Sequence, residues 1–447
     1  MPSSSWLIVN GRIVDPGRRV DLVGDLLLCD GRVTGIVGRD CPPPEGDVER
    51  LEATGLVVAP GFVDLHCHLR EPGAEHKETI RTGTLAAARG GFTTVCAMAN
   101  TDPPIDSRGQ VEYVQAIAAS EGVVRVLPVG AVSKGLEGQE LAEMGELADA
   151  GVVAFSDDGV PIRSSRVMRH ALEYSRAFGL PIMPHCDDPE LMAGGAMNEG
   201  PVAAVLGLRG IPAAGEEAIV ARDVALAELT GGRLHVCHVS TSGAIDVIRR
   251  AKQRGVAVTA EATPHHLTLT DGWVAGVRWE GRGYPYDTNT KVNPPLRSER
   301  DRESLVAALL DGTIDAIATD HAPHASVDKL CAFDEAAFGI SGLETALGAV
   351  VRLVDAGEID LTLAIEKLTA GPCRAFGLPY GTLAPGAPAD VVVFDPTHRW
   401  RVEPATFASL GKNTPYAGQE LVGRVVATFY GGVPVYRDAA VARATPR

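Results

Sequence analysis

Three polar side chains close a short apolar stretch that reads FVDLHCHLR, from Phe62 to Arg70. Because side chains alternate between the two faces of a β-strand, His66, His68 and Arg70 would point the same way. Imidazole nitrogen is a ligand for zinc and other divalent ions, and a planar guanidinium can hold a carboxylate through two parallel hydrogen bonds. The spacing therefore predicts a metal site with an anion-binding group beside it.

Histidine or aspartate also ends several later apolar stretches. One such residue is more often an ordinary hydrogen-bonded side chain, and the sequence Asp157-Asp158-Gly159 alone could be a turn. Agreement in residue type and position among five stretches nevertheless favours a shared metal site, in which Asp158 could bridge two ions. The candidate ligands are His66, His68, Asp158, His185, His238 and Asp320.

Eight short apolar stretches in the middle of the chain alternate with longer segments of helical composition. Near-continuous apolar strands connected by helices indicate a parallel sheet covered by helices. Eight such units predict an α/β fold, a closed (β/α)8 TIM-type barrel in which residues at the carboxyl ends of the strands meet in one site. The predicted strands are FVDLHCHL, FTTVCAMAN, VRVLPVGAV, VVAFSDD, PIMPHCD, LHVCHVS, VAVTAEATP and IDAIATDH.

Both chain ends instead read as short strands joined by tight turns. The stretches WLIVNGRIVD and DLLLCDGRVTGIVG contain NG and DG hairpin signals, and ADVVVFD and RVVATFYGGVPVYRD are similar. Neither end is long enough to bury a core of its own. We therefore expect residues 1–58 and 380–447 to form one small β-sandwich domain, and residues 59–379 to form the barrel.

Composition limits the classes of function. The chain has 447 residues and a formal charge of −16, which is too acidic for a general nucleic-acid binder. It contains no secretory signal pattern and no apolar segment long enough to span a bilayer, so no membrane partner is expected. Eight scattered cysteines without CxxC spacing suggest neither a disulfide framework nor a cysteine zinc site, and favour a cytoplasmic location.

A series of motifs along nearly the whole chain makes the prediction more specific. The stretch PGFVDLHCHLREPG resembles the first-strand signature of the amidohydrolase superfamily, and its ending REPG is similar to that of dihydroorotases. Later stretches resemble the bacterial monofunctional dihydroorotases in the same order. They are AMANTDPP, FSDDG, PHCDDPE, HVCHVST, AEATPHHL, KVNPPLR, IATDHAPH, FGISGLETAL and NTPYAG.

The resemblance implies a zinc centre with one or two ions, two being favoured. His66, His68 and Asp320 would hold one ion, while His185 and His238 would hold the second. Asp158 matches the bridging position. Related enzymes bridge with a carboxylated lysine, but the segment AFSDDG contains no lysine.

The resemblance also implies a reaction, the reversible interconversion of N-carbamoyl-L-aspartate and (S)-dihydroorotate in pyrimidine biosynthesis. Hydroxide activated by the metal would attack the ring amide carbonyl. Asp320 would act as general base and then as general acid toward the leaving nitrogen. Arg70 would hold the substrate carboxylate. The expected substrate contacts are His68, Arg70, Asn100, Asn293, His324, Phe338 and Gly339.

The sequence is also compatible with other hypotheses about function. A hydantoinase or allantoinase would share the barrel and the metals, although Arg70 and Asn100 favour an acidic pyrimidine. An inactive scaffold for aspartate transcarbamoylase is another alternative, but such proteins typically lose ligand histidines. A homodimer or a complex with aspartate transcarbamoylase is compatible with an active enzyme. His265 and His266 are expected to be structural or to support the ligands, since adjacent strand residues face opposite ways.

Overall fold

A computed structural model of the protein describes residues 5–44 and 48–438. Its strands fall into a set at the two chain ends and a set in the middle of the chain. The strands are β1 (Trp6–Asp15), β2 (Val20–Cys29), β3 (Arg32–Ile36), β4 (Glu49–Glu52), β5 (Val57–Pro60), β6 (Phe62–Cys67), β7 (Phe92–Ala97), β8 (Arg125–Pro128), β9 (Met197–Asn198), β10 (Gly210–Ile211), β11 (Leu234–Val236), β12 (Val258–Ala262), β13 (Ala316–Ile317), β14 (Val391–Arg401), β15 (Glu420–Tyr430) and β16 (Val433–Arg437).

Helices occupy the segments between the middle strands and continue beyond β13. They are α1 (Ile80–Arg89), α2 (Arg108–Glu121), α3 (Met144–Ala150), α4 (Ser165–Ser175), α5 (Pro201–Leu206), α6 (Ala213–Thr230), α7 (Ser242–Gln253), α8 (Pro264–Thr268), α9 (Glu299–Leu310), α10 (Ala346–Asp355), α11 (Leu361–Leu368) and α12 (Ala370–Phe376). No helix within the described residues is both long enough and apolar enough to cross a membrane.

Six of the middle strands, together with two bridging segments, form a closed ring of parallel pairs, while β9 and β10, among the described residues, pair only with each other. β6, β7 and β8 pair in that order, and so do β11, β12 and β13. The fourth and fifth predicted strands contribute only single bridges. Parallel bridges complete the ring at Gly130–Phe155, Phe155–Ile182, Ile182–Leu234 and Cys67–His321. The α/β barrel predicted from the sequence is thereby confirmed.

Local sequence explains why the barrel elements form where they do. All six residues of β6 and of β7 are buried, as expected for strands covered on both faces. Polar side chains cap the starts of several helices by accepting a backbone N–H, which satisfies a donor that lacks an intrahelical partner. These caps include Thr79 on α1, Ser164 on α4, Thr241 on α7 and Ser298 on α9.

Strands from the two chain ends form one hydrogen-bonded sheet, in the order β16-β15-β14-β5-β1-β2-β3, with β4 also paired to β1. The sheet has its own apolar cluster, which includes Trp6, Ile8 and Phe429. Asp15 helps to join the two ends, because one of its carboxylate oxygens accepts the backbone N–H of Leu383 at 2.7 Å. Residues 1–4, 45–47 and 439–447, which the predicted small domain includes, lie outside the described residues.

Candidate metal centre and active site

The barrel brings the six candidate metal ligands to one end of the ring. His66 is the second-last residue of β6, and His68 directly follows the strand. His238 lies two residues after β11, and Asp320 lies three residues after β13. The other two candidates follow the bridges of the fourth and fifth strands. None of the six is more than 5% exposed: His66, His68, Asp158, His185, His238 and Asp320.

Asp158 lies at the centre of this group, with one carboxylate oxygen toward each histidine pair. Its Oδ2 lies 3.3 Å from Nε2 of His66 and 3.4 Å from Nε2 of His68. Its Oδ1 lies 3.3 Å from Nε2 of His238 and 3.6 Å from Nδ1 of His185. A carboxylate in this arrangement could bridge two cations, one on each side.

Asp320 completes the first side of the centre. Its Oδ1 lies 3.1 Å from Nε2 of His68 and 3.7 Å from Nε2 of His66. On the second side, Nδ1 of His185 and Nε2 of His238 are 3.0 Å apart. The first side thus contains two imidazoles and the Asp320 carboxylate, and the second side contains two imidazoles. Asp158 lies between the two sides and contacts both.

The donor set fits divalent cations such as zinc. Nitrogen and carboxylate donors are the usual zinc ligands, and three protein ligands leave a position open in catalytic sites. His66 Nε2 is buried and has no hydrogen-bond partner among the described residues, although it faces two carboxylates. A buried polar atom of this kind needs a partner, and a cation held by His66, His68 and Asp320 would supply one.

The electrostatics of the centre are those of a cation-binding site. Burial opposes ionisation of Asp158, but the neighbouring histidines hold its pKa well below the usual range. Burial likewise opposes a charge on His66, whereas Asp158 and Glu261 raise its pKa. Burial also opposes ionisation of Asp320, but its pKa is lowered because Nε2 of His68 lies 3.1 Å from Oδ1 and His66 lies close. Buried carboxylates thus stay ionised at neutral pH where cations would bind.

A second layer of side chains orients the ligands. Nδ1 of His66 lies 2.7 Å from Oε1 of Glu261, whose Oε2 lies 3.0 Å from Nε2 of His235. Since a carboxylate only accepts, His66 must donate from Nδ1, which directs the lone pair of Nε2 toward Asp158. Nδ1 of His68 similarly lies 2.8 Å from Oδ1 of Asn100. Neither Glu261 nor His235 was among the site residues predicted from the sequence.

Three residues of the site have backbone conformations that side chains other than glycine rarely adopt. The φ angles are +61° at Arg70, +32° at His238 and +44° at Asp320. Strained conformations of this type cost energy and occur mainly at functional sites. They aim these side chains into the mouth of the barrel just after their strands end.

A cavity of about 240 Å³ opens beside the candidate ligands. Arg70 lies at its edge, with Nη2 3.5 Å from Nε2 of His324, and its Nε donates to the backbone oxygen of Pro323 at 3.3 Å. Nε2 of His324 also lies 2.8 Å from the backbone oxygen of Phe338. The structure places all seven expected substrate contacts around this cavity: His68, Arg70, Asn100, Asn293, His324, Phe338 and Gly339.

The local structure around His265 and His266 differs from the sequence-based expectation. His265 and His266 do not lie on a strand, because Thr263 caps the short helix α8 that contains both of them. Neither histidine lines the cavity. Asn293, expected to contact the substrate ring, has its Nδ2 2.9 Å from Nε2 of His185, so it also touches a candidate metal ligand.

Comparison with known proteins agrees with the geometry. A family model described as Dihydro-orotase-like matches residues 55–244. The chain is 52% identical over 436 residues to a dihydroorotase of Anaeromyxobacter dehalogenans (strain 2CP-C), covering 98% of this chain and 99% of the relative. It is 49% identical over 436 residues to a dihydroorotase of Pelotomaculum thermopropionicum, covering 97% and 99%.

Solved structures of related enzymes share the fold. An L-hydantoinase from Arthrobacter aurescens superimposes with a TM-score of 0.85 at 26% identity, covering 97% of this chain and 96% of its own. A D-hydantoinase from a Thermus species gives a TM-score of 0.77 at 27% identity, covering 97% and 95%. The near-complete match to the bacterial relatives is far higher in identity than the match to the hydantoinases. This chain therefore belongs to the dihydroorotase family of metal-dependent cyclic amidohydrolases.

Proposed function

We propose that the protein interconverts N-carbamoyl-L-aspartate and (S)-dihydroorotate in pyrimidine biosynthesis. The observation that supports the proposal is the position of the Asp158 carboxylate between two pairs of histidines, with Arg70 at the edge of the adjoining cavity. The relatives of about 50% identity that bear the name dihydroorotase support it. The small cavity suits a compact polar substrate.

Two zinc ions are the proposed cofactors. His66, His68 and Asp320 would hold one and His185 and His238 the other, with Asp158 between them. When bound, zinc lowers the pKa of a water molecule and polarises a carbonyl group. The chain's own contribution is to fix the ligands, since Glu261 and Asn100 hold the histidines of the first side in one orientation.

Asp320 is the proposed general base and general acid. It lies beside the cavity, and its lowered pKa keeps it ionised at neutral pH, so that it can accept a proton. The proton taken from the attacking water would then pass to the ring nitrogen as the amide bond breaks. His68, which lies 3.1 Å from Asp320, keeps the carboxylate in place during both transfers.

Arg70 is the proposed anchor for the substrate carboxylate. A guanidinium offers parallel donors that match a carboxylate, and its charge persists at any physiological pH. Asn100 and His324 would add contacts to the same group, Asn293 would contact the ring, and backbone at Phe338 and Gly339 would close over the substrate. These assignments predict an acidic pyrimidine rather than a neutral hydantoin.

The remaining parts of the proposal concern organisation. We propose a division into a barrel of residues 59–379 and a β-sandwich of residues 1–58 and 380–447, a division supported by the separate apolar cluster of the terminal sheet. A cytoplasmic location follows from the reaction and from the scattered cysteines. A homodimer, or a complex with aspartate transcarbamoylase, would be compatible with the activity.

The test is a comparison of substrates. Zinc-supplemented protein is expected to open the ring of dihydroorotate, which is measured as a loss of ultraviolet absorbance. It should show little activity toward hydantoin or allantoin. A chelator-treated sample should be inactive and should recover when zinc is returned. Turnover of hydantoin without turnover of dihydroorotate would instead assign the chain a hydantoinase activity, which its structural relatives make the natural alternative.

A further inference from the structure

Lys329 is a buried lysine behind the wall of the substrate cavity, and it is only 6% exposed. Its ammonium donates to three backbone oxygens, those of Ala337 at 2.6 Å, Thr288 at 3.1 Å and Lys291 at 3.2 Å. An ammonium has three donors, so carbonyl groups take all of them. A buried ammonium whose donors all bind backbone carbonyls holds together the chain segments that carry those carbonyls.

The three acceptors belong to two segments that are separate in the sequence. Thr288 and Lys291 lie in one segment, and Ala337 lies in the loop that begins at Lys329 itself. Two further bonds cross between the segments: Gly339 N donates to Lys291 O at 2.9 Å, and Thr288 Oγ1 donates to Lys329 O at 2.6 Å. Lys329 is therefore at the centre of the junction between the two segments.

The junction adjoins the cavity on both sides. Lys291 directly precedes Val292 and Asn293, which line the cavity, and Ala337 directly precedes Phe338 and Gly339, which also line it. An acceptor carbonyl and the nitrogen of the next residue belong to one planar peptide unit. A shift of the Lys291 or Ala337 carbonyl therefore also moves the backbone of the cavity wall that follows it.

A second lysine supports the same wall. Nζ of Lys291 donates to the backbone oxygen of Asp334 at 3.0 Å and lies 4.4 Å from the centre of the Phe338 ring. The backbone oxygen of Phe338 in turn lies 2.8 Å from Nε2 of His324, which faces Arg70. Displacement of this wall would therefore disturb the proposed carboxylate-binding group.

We propose that Lys329 is a positioning residue that sets the distance between the Val292–Asn293 wall and the Phe338–Gly339 wall of the substrate cavity. The inference rests on the proposed function, because it assigns these walls to substrate binding. None of the acceptors of Lys329 belongs to a strand end that carries a candidate metal ligand. Loss of the ammonium should therefore weaken substrate binding and leave the chemical step largely intact.

The test compares Lys329→Met with Lys367→Met. Lys367 is a matched control, because it is 5% exposed and donates to the backbone oxygen of Ile314 at 2.7 Å, before β13 and so at the opposite end of the barrel. Both variants should lower the melting temperature. Only Lys329→Met should raise KM for dihydroorotate, by roughly tenfold or more for the lost hydrogen bonds, with kcat changed less than about threefold.

Hydrogen exchange gives a readout that needs no substrate. The Gly339 amide and residues 288–293 should exchange faster in Lys329→Met and at the parental rate in Lys367→Met. An unchanged KM and unchanged exchange in folded Lys329→Met, or equal effects in both variants, would overturn the proposal. If Lys329→Met does not fold, Lys329→Gln, which keeps two donors, takes its place with a smaller rise in KM. If the parent does not turn over dihydroorotate, the proposed function fails, and exchange alone decides the role of Lys329.

Discussion

Replacement of Glu261 by glutamine tests whether the second layer sets the strength of metal binding. Glu261 is fully buried, and its two carboxylate oxygens lie 2.7 Å from His66 and 3.0 Å from His235. Glu261→Gln preserves the shape of the side chain but removes its charge. An amide nitrogen turned toward His66 would also force the proton of that ring onto Nε2, the atom that faces Asp158.

The magnitude follows from the shorter of the two bonds that Glu261 makes to candidate ligands, the 2.7 Å bond to the His66 ring; the backbone N–H of His238 donates to the same oxygen at 3.4 Å. A hydrogen bond to a charged group is worth about 1.5–3 kcal/mol, and about 1.4 kcal/mol corresponds to a factor of ten in affinity. Loss of the bond between Glu261 and His66 should thus weaken zinc binding about 10- to 100-fold, the range usual for partners of ligating histidines. Zinc at the other side should be less affected, because that side meets Glu261 through the backbone N–H of His238, at 3.4 Å, and not through a ligand ring.

The assay is competition for zinc between the protein and a coloured chelator, with thermal unfolding measured in parallel. Glu228→Gln is the control, because Glu228 is a surface residue whose carboxylate pairs with Arg254 at 3.0 Å. The control should bind zinc as the parent does. Parental zinc affinity, within about twofold, in a folded Glu261→Gln variant would refute the reasoning.

Three further predictions concern catalysis. Asp320→Asn should lower kcat by about 10²- to 10⁴-fold and retain the fold by circular dichroism; near-parental kcat would remove Asp320 as general base. Arg70→Lys should raise KM about tenfold or more, because a bidentate contact is lost, and an unchanged KM would place the carboxylate elsewhere. Burial, with Lys291 nearby, lowers the pKa of Lys329 to about 7, so its full set of three N–H donors is present at pH 6 and reduced at pH 9. The ratio of KM in Lys329→Met to KM in the parent should accordingly fall across that interval, whereas a constant ratio would contradict the role of the ammonium. Other ionisable groups near Lys329 are Asp287, Asp328, Cys331 and His324.

The sequence was most informative where local spacing and barrel geometry coincide. His66 in β6 and His68 just after it both face Asp158, as the two-residue period of a strand predicts, whereas Arg70 lies beyond the end of β6 with a φ of +61° and is not placed by that period. His238 and Asp320 could be placed because a parallel barrel collects the carboxyl ends of its strands. The fourth and fifth strands were predicted in position but not in extent, since single bridges alone represent them.

Features that depend on distant contacts could not be predicted. Glu261 is a lone acid within β12, and its partner His66 is 195 residues away in the sequence. The three acceptors of Lys329 could not be predicted either, because they are backbone oxygens, which every residue has. The helix at His265 and His266 did have a local signal, since Thr263 followed by Pro264 is a typical helix start.

The central claim is that a zinc centre bridged by Asp158 opens the ring of dihydroorotate. The most direct test is to titrate metal-depleted protein with zinc while following dihydroorotate by ultraviolet absorbance, and to repeat the titration with Asp158→Ala. We predict that activity appears with zinc and reaches its plateau at two ions per chain, and that Asp158→Ala remains folded with little activity. Folded, zinc-loaded parent protein without dihydroorotate turnover, or full activity in Asp158→Ala, would contradict the claim.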